Sequence, residues 1–337
     1  MENSKILPVY SRLGDEESRF LFETRLCYSH DTLRMVRNIN ENNFIYKKWS
    51  KMKKDFFMFG AGYFGHFFVK VLPKIKWCAF IDNDITKVGK SDILPVISFQ
   101  EFIKKSGNAL VFLSCLNARS EMYQQLIING FPKDSTIMPF GYGDRYFDLP
   151  YFKYSKKEFF IDAGGYDGDT AKLFFRWLEN AGRGTGRSVI FEPNFDNYCK
   201  NNMQNYDNVV VVNKGLWHKK ETLRFYENKN NPGGSRISSE GEKIIETISL
   251  DEYLKNEKDP VTFIKMDIEG AELNALKGAE RTIKKHKPKL AICIYHKPED
   301  VWEIPNLLFD FVPDYKFYIR HYSFTNWDTV LYAVPPD

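Results

Sequence analysis

Apolar residues fall along this chain in short runs separated by polar, glycine-bearing turns and by stretches of helical spacing. FFMF (56–59), CAFID (78–82) and LVFLSC (110–115) are of the first kind, and EMYQQLIINGF (121–131) is of the second. Runs of this length suit buried strands, and apolar residues three and four apart suit helices packed on a sheet. Their alternation predicts a parallel sheet covered by helices. The alternation restarts at EFFIDAGGYDGDTAKLFF (158–175) and passes through VIFEP (189–193), VVVVN (209–213), TLRFYE (222–227), FIKMDIEG (263–270) and LAICIYH (290–296). The last two runs, FYIRHYS (317–323) and TVLYAVP (329–335), are too close for a long helix between them, which predicts an antiparallel pair closing the sheet.

Ahead of the first strand, Phe20, Leu21, Leu26, Leu33 and Val36 repeat at nearly helical spacing, with Asp15, Glu16 and Glu17 where a helix start favours negative charge. The pattern divides the chain into a helical arm over 1–50, a small Rossmann-like domain over 51–150 and a larger α/β domain over 151–337. The expected fold class is α/β with two doubly wound domains. The length of 337 residues supports more than one core.

Composition narrows the function classes. A net charge of +4 from 48 basic and 44 acidic residues leaves no clustered excess for a phosphate backbone, so nucleic acid is not the expected partner. Five widely spaced cysteines without a CxxC pair argue against a disulfide framework and a zinc site. No apolar stretch reaches membrane-spanning length, and the N-terminus lacks the pattern of a secretory signal, so a cytoplasmic protein is expected.

Both halves open with strand, glycine loop and helix, but the two loops differ in charge. GAGYFG (60–65) has no carboxylate; Gly60, Gly62 and Gly65 are candidates to cradle a phosphate, with Asp82 at the next strand end for a ribose. The alternative is a structural turn that binds nothing. In DAGGYDGDT, Asp162, Asp167 and Asp169 crowd Gly164, Gly165 and Gly168. A pyrophosphate is repelled there, whereas a cofactor carrying a sulfonium and an ammonium is favoured, which points to S-adenosylmethionine. Asp162, Gly164, Gly165, Gly168 and Thr170 are the candidate loop contacts, with Glu192 for the ribose hydroxyls and Pro193 ending the strand.

FIDAGGYDGDT, VIFEPN, ISLDEYL, KMDIEGAELNALKGA and DTVLYAVP together resemble the FkbM family of methyltransferases over about 158–335. The resemblance implies a class I methyltransferase sheet, S-adenosylmethionine as cofactor and O-methylation of a hydroxyl on a sugar or natural product. Position by position, it places Asp162, Gly164 and Gly168 in the cofactor loop, Glu192 at the ribose, and Asp267, Glu269 and Glu272 in the acidic motif. The segment before about residue 150 lies outside it and resembles only loosely the nucleotide-binding domains of sugar-modifying enzymes.

Methyl transfer to oxygen needs a positioned hydroxyl and a group to take its proton. Asp267, which follows the strand FIKM, is the leading candidate for base and also touches the cofactor edge. His296, ending a neighbouring strand, is a second candidate and Glu269 a third; Glu272 suits a helix start without catalytic role. A surface histidine is the alternative for His296, and a divalent cation on the Asp, Glu and His set is not expected. Ser235 and Arg236, in a polar segment over 231–243, are candidate substrate contacts or part of an ordinary hairpin; His321 and Trp327 are candidates to line the acceptor site or to pack at its rim. The leading expectation is therefore an O-methyltransferase for a small-molecule or glycan acceptor, as a monomer or a homo-oligomer. The alternatives are an NAD-dependent or nucleotide-sugar enzyme working from GAGYFG, and a non-catalytic nucleotide-binding module.

Overall fold

The computed structural model describes residues 3–115, 118–141, 143, 145–182, 185–193, 198–228 and 234–336. The chain forms two compact units. One comprises Cys27–Tyr142 and Tyr322–Asp328; the other comprises the chain up to Leu26, Gly143–His321 and the chain from Thr329 onward. The helices of the first 50 residues are thus shared between the units, dividing at Leu26. No helix among the described residues is long and apolar enough to cross a membrane.

The smaller unit is built on five parallel strands, β1 (Asp55–Phe59), β2 (Trp77–Asp82), β3 (Val96–Ser98), β4 (Ala109–Leu113) and β5 (Thr136–Ile137), in the order β3-β2-β1-β4-β5. Phe57, Phe59, Ile81, Phe102, Val111 and Leu113 share one core on a face of this sheet. The apolar runs read from the sequence are its central strands, buried because helices cover parallel sheets on both faces.

The larger unit has a seven-stranded sheet and a separate four-stranded one. Its strands are β6 (Glu158–Ala163), β7 (Gly186–Phe191), β8 (Val209–Val212), β9 (Gly215–Leu216), β10 (Glu221–Tyr226), β11 (Arg236–Ile237), β12 (Lys243–Ile248), β13 (Phe263–Met266), β14 (Lys289–Cys293), β15 (Lys316–His321) and β16 (Thr329–Val334). The main sheet runs β15-β16-β14-β13-β6-β7-β8, with β16 antiparallel to both of its neighbours and the other pairings parallel. TLRFYE, expected in that sheet, instead forms β10 of the smaller sheet, paired antiparallel with β12. The reason is visible in its burial. β6 and β13 are buried at every position, whereas β10 and β12 largely alternate and present one face to solvent.

From β6 the chain moves outward to β7 and β8, then returns to the other side of β6 with β13. That reversal leaves a crevice at the carboxyl ends of β6 and β13, where open α/β sheets bind ligands. One buried ion pair holds the crevice's main loop. Lys265 on β13 and Asp162 on β6 lie opposite each other in register, 3.0 Å apart, and both side chains are almost wholly buried. The Lys265 ammonium also donates to the carbonyls of Ala163 (3.1 Å) and Gly164 (2.6 Å), fixing the turn that follows β6. Burial alone would discharge this lysine, but Asp162 and Asp267 hold it charged.

Removing one partner of such a pair strands the other charge, at about 3–5 kcal/mol, whereas removing both is far milder. Lys265→Met is therefore expected to lower stability by about that amount in urea denaturation, and Asp162→Asn combined with Lys265→Met to recover most of it. Equal destabilisation by the single and double changes would show that the pair does not hold the loop.

Candidate functional site

A cavity of about 400 Å3 opens at the crevice, within the size range of small-molecule sites. Gly164 and Gly165 form its floor because nothing larger fits. At Gly164 φ is +77°, and a Cβ there would collide with the Asp267 carbonyl oxygen; at Gly165 it would collide with Ile190. The Glu192 carboxylate, just beyond β7, accepts the Tyr166 N–H at 2.8 Å and so ties the second strand end to the loop. Thr170 and Pro193 also line the cavity, as do Asp167 and Asp169. Phe225, Ile237 and Ile245 of the smaller sheet supply an apolar wall, and Ser235 lies beside them.

Three expected contacts lie elsewhere. Asp162 was expected to contact the cofactor from the loop, but it is fully buried and faces Lys265, since an unpaired carboxylate in that interior would be costly. Gly168 lies behind the loop, with φ +85° at the start of the helix Asp169–Asn180 and Met203 where a Cβ would sit. Arg236 is exposed on β11, with its guanidinium 5.1 Å from the Tyr226 ring centre. The cavity is lined by neither His321 nor Trp327. His321 is buried with its Nδ1 2.7 Å from the Thr329 hydroxyl, and Trp327 packs on Phe64 in the smaller unit. Asn231–Gly233 of the expected covering segment fall outside the described residues.

The acidic motif meets β14 at the other side of the cavity. Asp267 accepts hydrogen bonds from the Tyr146 hydroxyl (2.8 Å) and the Tyr295 hydroxyl (2.9 Å), one on each carboxylate oxygen. Burial would raise its pKa, yet Lys265, His296 and Arg145 outweigh that and hold it well below the usual carboxylate range. A carboxylate so engaged is a weak base, which alters the expectation for Asp267. His296 lies with Nδ1 3.0 Å from Glu272 and Nε2 3.6 Å from both Asp267 and Glu269. Burial favours the neutral ring, but Glu272, Glu269 and Asp267 prevail and push its pKa up to about 11. A ring that keeps its proton to about pH 11 cannot accept another near neutral pH, so the expected role of His296 as a base does not suit its surroundings.

Glu269 differs from both. It lines the cavity, its side chain is 28% exposed, and burial lifts its pKa above the usual value even against the pull of His296. Its φ of +55° is a left-handed conformation that non-glycine residues rarely adopt, and such strain gathers at functional sites. Glu272 opens the helix Glu272–Lys277, fully buried, and accepts the Ile268 N–H at 2.8 Å. Asp267, Glu272 and His296 each offer one ligand atom within 4.8 Å of the others, the donor types a divalent cation takes.

Tyr146, Tyr295, Arg145 and Lys265 were not legible as site residues. Lys265 and Tyr295 carried the nearest signal, each adjoining a residue or motif already singled out, while Tyr146 and Arg145 come from a stretch that reads as a connection. In the smaller unit Gly60 has φ +106°, Gly65 lies too close to the Gly60 carbonyl for a Cβ, and Gly62 has open space beside it. Both oxygens of Asp82 are engaged: Oδ2 with the Ala61 N–H (2.8 Å) and the Lys87 ammonium (3.1 Å), and Oδ1 with the Asp84 N–H (2.9 Å). That carboxylate holds its own loop.

Residues 162–325 match the family model for the methyltransferase FkbM domain. A solved methyltransferase FkbM from Methylobacillus flagellatus KT shares the fold over 94% of this chain and 99% of its own, with a TM-score of 0.52 and 18% identity. Fibrillarin of Aeropyrum pernix, solved with natively bound S-adenosyl-L-methionine, overlaps 55% of this chain and 69% of its own at a TM-score of 0.34 and 11% identity. No curated protein sequence matches the chain. The glycine floor and carboxylate walls suit the cationic cofactor of such enzymes, S-adenosylmethionine, better than a phosphate-bearing one. The chain accordingly carries an FkbM methyltransferase domain, and S-adenosylmethionine is its cofactor.

Proposed function

We propose that this protein methylates a hydroxyl oxygen of a sugar or sugar-like molecule, with Glu269 receiving the hydroxyl proton. The reading takes the larger unit as a class I methyltransferase domain and both parallel sheets as doubly wound, Rossmann-like frameworks. The observation that carries it is the cavity at the sheet's reversal point, walled by Asp167, Asp169, Glu192, Asp267 and Glu269 over a glycine floor. S-adenosylmethionine supplies an electrophilic methyl group on a sulfonium. In this reading Glu192 accepts from ribose hydroxyls and Asp167 favours a cationic ligand over a phosphate, Asp169 being paired with Lys172 at 2.8 Å. Asp267 clamps Tyr146 and Tyr295 and keeps the polar wall in place. Glu269 accepts the proton as the new carbon–oxygen bond forms, because it lines the cavity and burial lifts its pKa above the usual carboxylate value. Phe225 offers a flat face to sugar C–H groups beside Ser235, and the carboxylates accept from hydroxyls. With its carboxylate engaged, Asp82 weighs against a working dinucleotide site at GAGYFG.

Three measurements test this reading. Glu192→Ala should weaken S-adenosylhomocysteine binding by about 1.5–3 kcal/mol in calorimetry, the usual loss of a charged hydrogen-bond partner. Unchanged affinity would remove Glu192 from the cofactor site. Glu269→Gln should slow methyl transfer about 10²- to 10⁴-fold with S-adenosylhomocysteine affinity unchanged; a wild-type rate would place the proton elsewhere. His296 should keep its ring-proton NMR shift constant from about pH 6 to 9, since its folded pKa of about 11 lies above the usual value of 6.5. Because that pKa is raised, its stabilisation is complete below about pH 6.5 and is lost as pH rises toward about 11. A titration near pH 6.5 would return the neutral ring to the candidates for base.

A further inference from the structure

At the amino ends of the same strands lies a second and larger cavity, of about 1020 Å3. Its floor is made by the first residues of β6, β7 and β14 with Thr262 before β13, and its walls by Tyr151, residues 153–157, His286–Lys287 and 334–336. None of these residues belongs to the site described above.

The charge here is one-sided. Both carboxylates among the described lining residues are engaged by the protein itself. Glu158 accepts from the Lys289 ammonium (2.8 Å), the Ser155 N–H (2.6 Å) and the Thr262 hydroxyl, and Asp259 lies 3.4 Å from the Arg187 guanidinium. Lys156, Lys157 and Lys287 line the same cavity and have no acidic partner among the described residues. Gathering like charges raises their electrostatic energy unless an anion or solvent compensates. Lys287 is the most telling of the three. It caps the helix Glu280–His286 in the left-handed region, with φ 46° and ψ 54°, where glycine is the usual residue. A lysine there accepts backbone strain and places a cation on the cavity wall. Flat apolar surface lies beside the cations: Tyr151 is 45% exposed and stacks on Tyr318 at 4.4 Å, and Tyr154 stacks on Trp177 at 4.3 Å.

We propose that this cavity binds a ligand that joins a phosphate to a flat apolar group, as a nucleoside diphosphate does. Lys156, Lys157 and Lys287 meet the phosphates, and Tyr151 meets the flat group. The six residues of β6 separate this cavity from the glycine loop by roughly 20 Å, at about 3.3 Å per residue. An occupant therefore stays clear of the methyl-transfer centre. The inference stands independently of the proposed methyl acceptor.

The test is calorimetric titration of the full chain with UDP in saturating S-adenosylhomocysteine. Saturable binding of one UDP is expected, tighter than that of pyrophosphate or uridine alone. It should weaken about tenfold or more in Lys287→Gly and in the double variant Lys156→Ala, Lys157→Ala, as lost charged contacts imply. Glycine suits the left-handed backbone at 287, so loss of binding there cannot come from misfolding. Affinity for S-adenosylhomocysteine should not change in either variant. The proposal is overturned by absence of saturable UDP binding, by UDP affinity unaltered in both variants, or by pyrophosphate binding as tightly as UDP.

Discussion

Lys265 and Asp162 meet at 3.0 Å between two central strands, in an interior where neither charge could persist alone. The ammonium has three protons, and the structure uses them on the Asp162 carboxylate and on the carbonyls of Ala163 and Gly164. The turn after β6 is thereby bound to β13, the strand that delivers Asp267. Close approach of the two segments then requires glycine at 164, where a side chain would strike the Asp267 carbonyl. The floor of the cavity and the start of the acidic motif are held as one piece. Such a pair adds little net stability over an apolar core, but it makes any other register of β6 against β13 leave a charge unpaired.

The same logic governs the acidic wall. Asp267, Glu269 and Glu272 are concentrated within six residues, and their repulsion is relieved by the His296 cation that β14 brings among them. The cluster divides its members by environment. Asp267, with two phenols and nearby cations, is held as a carboxylate; Glu269, half withdrawn from solvent and on a strained backbone, is shifted the other way. Groups of one chemical type acquire different proton affinities because their neighbours differ.

The two ends of the main sheet carry opposite charge. Carboxylates gather at the carboxyl ends of the strands, around the glycine loop, and lysines gather at the amino ends, around the larger cavity. A net charge of +4 over the whole chain conceals this division. The two ends of one framework thus present potentials of opposite sign, which a sum over composition cannot reveal.

Local signals were enough to read much of this protein. Short apolar runs buried on both faces announced the central strands, because parallel strands covered by helices have no polar side. Glycines between a strand and a helix announced the loop, and the acids around them announced a cationic cofactor. TLRFYE was misassigned because a half-buried strand and a fully buried one look alike in six residues until burial separates them. The sequence by itself thus determined the strands, the glycine loop and the carboxylate-rich motif, since each depends on residues close together in the chain. Tertiary structure alone decided that Asp162 faces Lys265, that Tyr146 and Tyr295 clamp Asp267, and that His296 is a cation. Those outcomes depend on which groups approach within a few ångströms, across separations of about 100 residues or more for Asp162 and Tyr146, and proton affinity and charge pairing follow that distance.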